Sequence, residues 1–305
     1  MTIIKNELRA DLLNTTDYRY LIIDTYLLYW GRIQRKDLTR HLGIGNVTAT
    51  RIFGEYSAAN PEALLMNPAK KSYVYTENFI PLTSPSPESV LPLLAYGTEQ
   101  KQLSTSGYGP MRPNTITAPL CQDKVSAVTR AMVSKTGIEM SYVSGSSGST
   151  QRCIYPHAIF NGGGAWYFRG YDPQKNSYRT FRFSRIESIG EERPHLKYLE
   201  NFTDKDWNEP VTLSLAPHSR HPQKEALAMD LGLQGRPVSN VEANRVTAGS
   251  ILVDLRVDCS KKANLNPKEY HLQLMNLHEL DDIKLLKIAP GYVTHDSSEP
   301  LVTNS

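Results

Sequence analysis

The chain has 305 residues, which is enough for two or three domains with separate hydrophobic cores. Hydrophobic residues make up 40% and charged residues 21%, as in an ordinary soluble protein and unlike a disordered chain. No stretch approaches the roughly 20 apolar residues of a membrane span, and the N-terminus lacks the apolar segment of a signal peptide. We therefore expect a cytoplasmic protein with no membrane partner.

The cysteine spacing and the charge distribution indicate which kinds of site the chain can contain. Three cysteines, at 121, 153 and 259, are widely spaced and form no CxxC pair, so neither a disulfide framework nor a zinc site is expected. The net charge is only +3, but residues 124–205 carry +5 and residues 206–305 carry −3. The central region is therefore the better candidate for binding anions, and the acidic C-terminal region is better suited to protein contacts.

Residues 1–80 show three helical patterns followed by a hairpin. The first helix is predicted at Tyr20–Trp30, with Asp17 as its N-cap and Gly31 as its end, and Arg32-Ile33 fits a short strand. A second helix is predicted at Gln34–Leu42. A third follows over 46–58, because its apolar residues at 49, 52, 53 and 56 have the spacing of one helix face.

Two short helices joined by a glycine-containing turn are typical of a helix-turn-helix. The hairpin after the third helix has the strands 64–66 and 73–75 and a basic tip, as in the wing of a winged helix. Small hydroxyl side chains allow a helix to lie deep in a major groove, and Asn and Arg bond base edges or phosphates. The predicted DNA contacts are Asn46, Thr48, Thr50 and Arg51 on the third helix, and Lys70 and Lys71 at the hairpin tip. The alternative is a plain helical bundle with an unrelated hairpin.

Residues 81–123 are predicted to be a proline-punctuated linker with one short helix at Glu88–Tyr96 and a loop over 107–113. The sequence leaves open whether this linker carries a signal or helps dimerisation. An amphipathic helix over 121–136 then leads into a strand at Ile138–Val143.

Residues 138–189 are predicted to form a small antiparallel sheet. Aromatic and β-branched residues alternate with polar ones, and Gly/Ser/Asn clusters at 144–149, 161–164 and 172–177 indicate hairpin loops. The triple glycine 162–164 therefore predicts a hairpin turn and not a phosphate-binding loop. Five arginines in this stretch, at 152, 169, 179, 182 and 185, and a sixth just past it, at 193, make this sheet a candidate anion-binding surface. The alternative is that they only solubilise its outer face.

Residues 206–305 are predicted to form a small α+β domain. It contains a strand at Val211–Ala216, a helix at Gln223–Leu231, a strand at Ser250–Val257 and a further strand at His271–Leu277. The tail over 296–305 is polar. No catalytic motif is present in the chain, so we expect no enzyme activity and no cofactor.

The central run contains Tyr142, Ser144, Arg152, Pro156-His157, Trp166-Tyr167-Phe168, Arg182-Phe183 and Arg185-Ile186. In this pattern it resembles the WYL domain of bacterial transcriptional regulators, although Phe168 replaces the third letter of the name-giving Trp-Tyr-Leu triplet. The whole chain resembles WYL regulators of the BrxR/CapW type that accompany BREX and CBASS phage-defence clusters. That resemblance implies a multi-domain α+β fold: a winged helix-turn-helix over 1–80, a linker over 81–123, an Sm/SH3-like barrel over 124–205 and a C-terminal dimerisation extension over 206–305.

The resemblance implies a homodimeric repressor of a phage-defence operon. It would bind double-stranded, palindromic operator DNA and be relieved by a nucleic-acid or nucleotide effector in the WYL pocket. The implied effector site consists of Tyr142, Ser144, Arg152, His157, Tyr167, Arg169, Arg182 and Arg185. Because Trp166 and Tyr167 are neighbours on a strand, they face opposite sides, and the sequence leaves open which of them faces the pocket.

A second hypothesis is an accessory protein that binds single-stranded nucleic acid through the basic barrel. The N-terminal helices would then dock another protein, and no operator would be recognised. A nuclease or another nucleic-acid enzyme would be a third class, but the sequence offers no constellation of residues for it.

Overall fold

The computed structural model describes residues 16–96, 119–145, 148–197, 203–233, 235–280 and 282–293. The predicted loop over 107–113 and the predicted polar tail over 296–305 lie outside these ranges. The chain divides into two compact units. One contains the described residues up to Ile159 together with Trp166–Leu196, and the other contains Phe160–Ala165 and the residues from Lys197 onward.

The first unit begins with a winged helix-turn-helix. Its elements are α1 (Thr16–Trp30), β1 (Arg32–Ile33), α2 (Arg35–Leu42), α3 (Asn46–Ala59), β2 (Leu64–Asn67) and β3 (Ser72–Tyr75). The three strands form an antiparallel sheet in the order β1-β3-β2. These elements confirm the predicted helices and hairpin. The N-cap assignment of Asp17 is wrong, because α1 already includes Thr16, whereas Gly31 ends the helix as predicted, with φ +72°.

The first unit continues with two helices and a larger sheet. Its elements are α4 (Pro87–Tyr96), α5 (Gln122–Ser134), β4 (Gly137–Ser144), β5 (Gly148–Gly162), β6 (Ala165–Asp172), β7 (Ser177–Arg182), a 3₁₀ turn (Phe183–Arg185) and β8 (Ile186–Arg193). The strands are ordered β7-β6-β5-β4-β8, so β7 and β8 form the two edges. Because the sheet is open at both edges, the predicted Sm/SH3-like barrel is not confirmed. The triple glycine forms a hairpin turn, with positive φ at Gly163 and Gly164.

One hydrophobic core joins the winged helix to this sheet. It contains Leu28 and Tyr29 of α1, residues of α4 and α5, and Met140 and Phe168 of the sheet. A second core holds the winged helix itself together around Phe53. The predicted short helix of the linker is therefore an integral part of the shared core, since Val90 and Leu91 of α4 are buried there.

The second unit contains α6 (Lys205–Asn208), β9 (Pro210–Pro217), α7 (Lys224–Asp230), β10 (Ser239–Asn244), α8 (Ala248–Asp254), β11 (Val257–Asp258), β12 (Leu272–Leu274) and 3₁₀ turns at Leu277–Glu279 and Lys284–Ile288. Its sheet has the order β10-β9-β12-β11, with β11 and β12 parallel and the other pairs antiparallel. None of the helices described in either unit is long and apolar enough to cross a membrane.

The predicted strand at Ser250–Val257 is wrong. Most of that segment is the helix α8, and only Val257 belongs to a strand. Ala248 and Leu252 are fully buried and lie one helical turn apart, so the helix places both in the core. This packing outweighs the strand preference of the neighbouring Ile and Val residues.

Candidate nucleic-acid interface and effector site

The third helix of the winged domain, α3, is held firmly from its inner side. Its apolar positions Ala49, Ile52, Phe53 and Tyr56 are buried. The ring of Phe53 stacks on Tyr73 of the wing strand β3, with centroids 4.3 Å apart. The Tyr56 hydroxyl donates a hydrogen bond to the carboxylate of Asp24 on α1. The position of α3 is thus fixed by both α1 and the wing.

The outer face of α3 carries the four residues predicted to contact DNA. Asn46, Thr50 and Arg51 are exposed, and Thr48 is half-buried. The Thr50 hydroxyl donates to the backbone carbonyl of Asn46 at 2.9 Å. The Arg51 guanidinium contacts Glu55 at 2.6 Å. This surface ion pair contributes little to stability, so the Arg51 guanidinium can exchange Glu55 for another anion at small cost.

The wing tip places its two lysines at the surface. Lys70 and Lys71 are both exposed, and Lys71 closes the turn with φ +48°. The Lys70 backbone N–H donates to Asn67 Oδ1, and the Lys70 carbonyl accepts a hydrogen bond from Gln34 Nε2 at 3.0 Å. Since Gln34 directly precedes α2, the wing tip is tied to the helix-turn-helix.

Sequence reasoning missed further exposed basic and apolar residues of the helix-turn-helix. Arg35, Lys36 and Arg40 of α2 are exposed, and they were not among the predicted contacts. Their exposure was readable from the helix period, because Leu38 and Leu42 occupy the buried face. Val47 on α3 is also exposed, although it is apolar.

The open choice between Trp166 and Tyr167 is resolved by the packing of β6. Phe168 is fully buried and stacks on Phe181, with centroids 5.2 Å apart. Trp166 lies on the same side of the strand and packs against that core. Tyr167 therefore faces the opposite side, which it shares with Arg169, as predicted from the alternation of a regular strand.

Four of the eight predicted effector residues lie on the Tyr167 side of β6 and β7 or against it, and one of them, Arg169, is buried. Tyr167 pairs with Arg182 across the two strands, and the Arg182 guanidinium carbon lies 5.9 Å from the Tyr167 ring centroid. Arg169 pairs with Thr180 and donates to its hydroxyl at 3.3 Å. His157 packs edge-on against Tyr178, at 5.2 Å between centroids.

Tyr178 is an aromatic neighbour that the sequence analysis did not include. It pairs with Tyr171 across the hairpin, and their rings pack edge-on at 5.4 Å. Because cross-strand partners share a face, Tyr171 and Tyr178 lie on the same side of the hairpin as Tyr167 and Arg182, with Tyr171 buried and Tyr178 half-buried. The period-2 pattern of residues 167, 169 and 171 was the available signal for this extension.

Tyr142 and Arg152 lie in the interior and have partners there. Arg152 forms a buried ion pair with Asp172 at 2.8 Å, and its Nε donates to Thr150 Oγ1 at 3.1 Å. The Tyr142 hydroxyl accepts a hydrogen bond from the backbone N–H of Arg182 at 2.9 Å. These contacts stabilise the sheet, and removing either member of the buried pair would leave an uncompensated charge.

Ser144 and Arg185 form a third group, at the end of β4. Arg185 lies beside the β4–β5 turn, since a Cβ added at Gly145 would be 3.7 Å from Arg185 Nη1. Ser144 opens that turn. The eight predicted residues are thus divided by their contacts among the Tyr167 side of β6 and β7, the pair Tyr142 and Arg152, and a turn.

Helix α5 contacts both the winged helix and the sheet. Arg130 donates a hydrogen bond to the carbonyl of Leu28 at 2.7 Å, and its guanidinium carbon lies 5.4 Å from the ring centroid of Tyr75. Near the other end of α5, Lys124 Nζ donates to the carbonyl of Ile186 at 2.8 Å. One helix therefore joins the residue after Arg185 to the base of the wing.

His218 and His221, in a proline-flanked loop of the sequence, and the more distant Cys259 are not arranged as metal ligands. Across the described ranges, no group of three or more His, Cys, Asp or Glu side chains is placed to hold a metal ion. The buried His218 instead lies with its Nε2 3.1 Å from the carboxylate of Asp258. Its Nδ1 accepts the backbone N–H of Arg220, so Nε2 carries the proton that is donated to Asp258.

Three family models match successive parts of the chain. The BrxR transcriptional regulator winged helix-turn-helix domain matches residues 15–95, the WYL domain matches residues 123–190, and the BrxR transcriptional regulator C-terminal dimerization domain matches residues 210–280. Together they follow the order expected from the sequence.

Two proteins illustrate the similarity. The DNA-binding transcriptional repressor CapW of Stenotrophomonas maltophilia is 28% identical over 208 residues, which cover 66% of this chain and 69% of CapW. The proteasome accessory factor B/C (PafBC) of Arthrobacter aurescens is 18% identical, with a TM-score of 0.23. Its alignment covers 87% of this chain but only 44% of the length of PafBC, and a TM-score this low gives no structural support. On the evidence of the three matched domains and the CapW similarity, the chain belongs to the WYL-domain transcriptional regulators of the BrxR/CapW type.

Proposed function

We propose that the protein is a sequence-specific DNA-binding repressor that acts as a homodimer on a palindromic operator. The observation that carries this proposal is the polar outer face of α3, fixed from behind by Asp24 and Tyr73 and flanked by the exposed lysines of the wing. Asn46, Thr48, Thr50 and Arg51 contact base edges, and Lys70 and Lys71 contact phosphates. The similarity to the repressor CapW supports repression rather than activation of transcription.

The proposed dimer places two copies of α3 in successive major grooves. Two-fold symmetry requires a spacing of roughly 34 Å between them, one turn of B-DNA. The match to a C-terminal dimerization domain over residues 210–280 supports this arrangement. The regulated genes are proposed to be a phage-defence operon, on the basis of the BrxR and CapW similarity.

The effector is proposed to be a nucleic acid or nucleotide that binds the outer side of β6 and β7. Tyr167 and Tyr178 offer aromatic faces for stacking bases, and Arg182 offers a guanidinium for phosphate oxygens. Arg182 is half-buried beside Tyr167, which reduces its screening by solvent. Arg169 and His157 complete this side, and Ser144 and Arg185 are assigned to its margin. Tyr142 and Arg152 act from the interior by holding the strands in place.

Release of the operator is proposed to follow from a population shift. The effector must bind the DNA-incompetent arrangement more tightly than the competent one, because equal affinity for both would change nothing. Helix α5 is the proposed connection, since it contacts Ile186 through Lys124 and Leu28 through Arg130.

Charge reversal at Arg182 tests the effector assignment. Arg182→Glu is expected to keep operator affinity within about twofold and to abolish binding of fluorescent single-stranded oligonucleotides, which require a cation beside Tyr167. Arg179→Glu is the matched control, because Arg179 is exposed on the same strand but points to the other side. Loss of operator binding in Arg182→Glu alone would reject the division between a DNA-binding head and an effector sheet.

A further inference from the structure

Val47, the second residue of α3, has the most exposed large apolar side chain among the described residues, at 86%. The folded chain gains nothing from this exposure, because Ala49, Ile52 and Phe53 already fill the buried face of the helix. A β-branched residue also lowers helix propensity slightly. Neither packing nor helix formation therefore accounts for valine at this position.

The helix-turn-helix that carries Val47 exposes mainly polar and basic side chains. Thr50 and Arg51 follow it at helical spacing on the same face. The preceding helix α2 exposes Arg35, Lys36 and Arg40. An apolar protein surface would leave these charges desolvated and unpaired, whereas the phosphates of a DNA duplex neutralise them.

The major groove of DNA offers one apolar group on a base edge, the C5-methyl of thymine. We propose that Val47 is a specificity-determining residue that contacts the C5-methyl of one thymine in each operator half-site. This inference rests on the proposed DNA-binding role of α3. It adds an apolar contact to an interface whose other assigned residues bond through polar atoms.

The contact is measurable because deoxyuridine differs from thymidine only by the missing methyl group. The full-length protein is first used to select a consensus from a library of random duplexes. Each thymine of the consensus is then replaced by deoxyuridine, symmetrically in both half-sites. One position is expected to lose about fourfold in affinity per half-site, the value of burying one methyl group, and therefore about sixteenfold for the palindrome.

The Val47→Ala variant provides the second arm. It should fold normally, because the side chain it shortens is exposed, and it should already have lost the affinity that the methyl supplies. Deoxyuridine at the sensitive position should then cause no further loss. Ile80→Ala is the matched control: Ile80 is 74% exposed, and its carbonyl accepts a hydrogen bond from Asn60, at the opposite end of α3.

Three outcomes are decisive. If the affinity losses from Val47→Ala and from deoxyuridine are additive at every thymine position, Val47 does not contact a thymine methyl. The proposed DNA-binding function would not be affected by that result. Uniform insensitivity to deoxyuridine would lead to the same conclusion. Failure of the library to yield any consensus would overturn the proposed function as well, and that result differs clearly from the other two.

Discussion

Arg130 and Leu28 lie 102 residues apart in the chain, and Arg130 Nη1 donates a hydrogen bond to the Leu28 carbonyl oxygen at 2.7 Å. That carbonyl is in the last turn of α1, where carbonyl groups have no backbone N–H partner within the helix. The positive guanidinium also complements the negative end of the helix dipole. Because Arg130 also contacts the ring of Tyr75, α5 contacts both the first helix and the wing.

Arg130→Met is expected to lower both the stability of the protein and the coupling between effector binding and operator binding. Loss of a hydrogen bond from a charged donor should lower the free energy of unfolding by about 1–2 kcal/mol. The coupling free energy between effector and operator binding should fall by about 0.5–2 kcal/mol. Operator titrations with and without a single-stranded oligonucleotide that binds the wild-type protein measure this coupling.

Arg32→Met is the control for Arg130→Met, because Arg32 is an exposed arginine of the neighbouring strand β1. It should leave stability and coupling close to wild type. A destabilised Arg130→Met protein with unchanged coupling would show that α5 only supports the fold.

The wing lysines are expected to act through charge alone. Lys70→Gln and Lys71→Gln should each reduce the slope of log K against log salt concentration by about 0.9, the value for one lost phosphate contact. The preferred operator sequence should stay the same, because phosphate contacts carry no sequence information. Lys175→Gln, in the exposed β6–β7 turn, is the control. Binding isotherms at four or five salt concentrations give the slopes, and unchanged slopes would remove the wing from the interface.

The buried Asp24 carboxylate links α3 to the segment after the wing. Besides the Tyr56 hydroxyl it accepts the backbone N–H and the hydroxyl of Thr83, both at 2.7 Å. Burial raises the pKa of Asp24, and the hydrogen bonds from Tyr56 and Thr83 oppose that rise. Tyr56→Phe should therefore cost about 1.5–3 kcal/mol of stability at neutral pH and raise the pKa of Asp24 further.

The pH dependence of Tyr56→Phe has a definite sign. A carboxyl with a raised pKa in the folded state binds more protons folded than unfolded, so stability falls as pH rises through that pKa. The stability difference between wild type and Tyr56→Phe should accordingly be larger at pH 7 than at pH 5, as measured by urea denaturation. Tyr20→Phe, whose ring packs edge-on against Tyr56, is the control. An equal stability difference at both pH values would mean that the hydrogen bond from Tyr56 does not affect the pKa of Asp24.

Asp258 is expected to stabilise the second unit in the opposite pH direction. Burial acts to raise its pKa, but hydrogen bonds from Ser260, Leu265 and His218 outweigh burial, and the pKa of Asp258 is lowered from 3.8. A lowered pKa gives stability that is present above the ordinary value and lost as pH falls through the folded-state value. Asp258→Asn should be clearly less stable than wild type at pH 6.

The difference between wild type and Asp258→Asn should shrink as pH falls below about 4, where the wild-type carboxyl begins to be protonated. Urea denaturation between pH 3 and pH 6 follows this change, with the exposed Asp230→Asn as control. A difference that grows toward low pH would contradict the hydrogen-bond assignment.

Local patterns were sufficient where neighbouring residues decide the structure. The apolar spacing of α3 and the turn residues of the wing predicted both elements within one or two residues. The helix α8 could not be predicted in this way, because the buried partners of Ala248 and Leu252 come from distant strands. The short strand at Arg32–Ile33 was predicted correctly, and its pairing with β3 required the three-dimensional structure.

The residues predicted to bind the effector were harder to place from the sequence than those predicted to contact DNA. Alternation showed that Trp166 and Tyr167 face opposite sides, but only the packing of Phe168 on Phe181 shows which side is the core. Arg152 fits a basic pocket by residue type, yet its partner Asp172 lies on another strand 20 residues away. Cross-strand register is not encoded in a local pattern, so an arginine within the core was indistinguishable from one at the surface.

The most direct test of the account is a competition mobility-shift titration at physiological salt. The duplex from upstream of the protein's own gene competes with a scrambled duplex and with the corresponding single strand. The account predicts that the native duplex binds at least about 10³-fold more tightly than the scrambled duplex, and that this ratio persists as salt rises. Equal affinity for both duplexes, or preference for the single strand, would contradict operator recognition by α3.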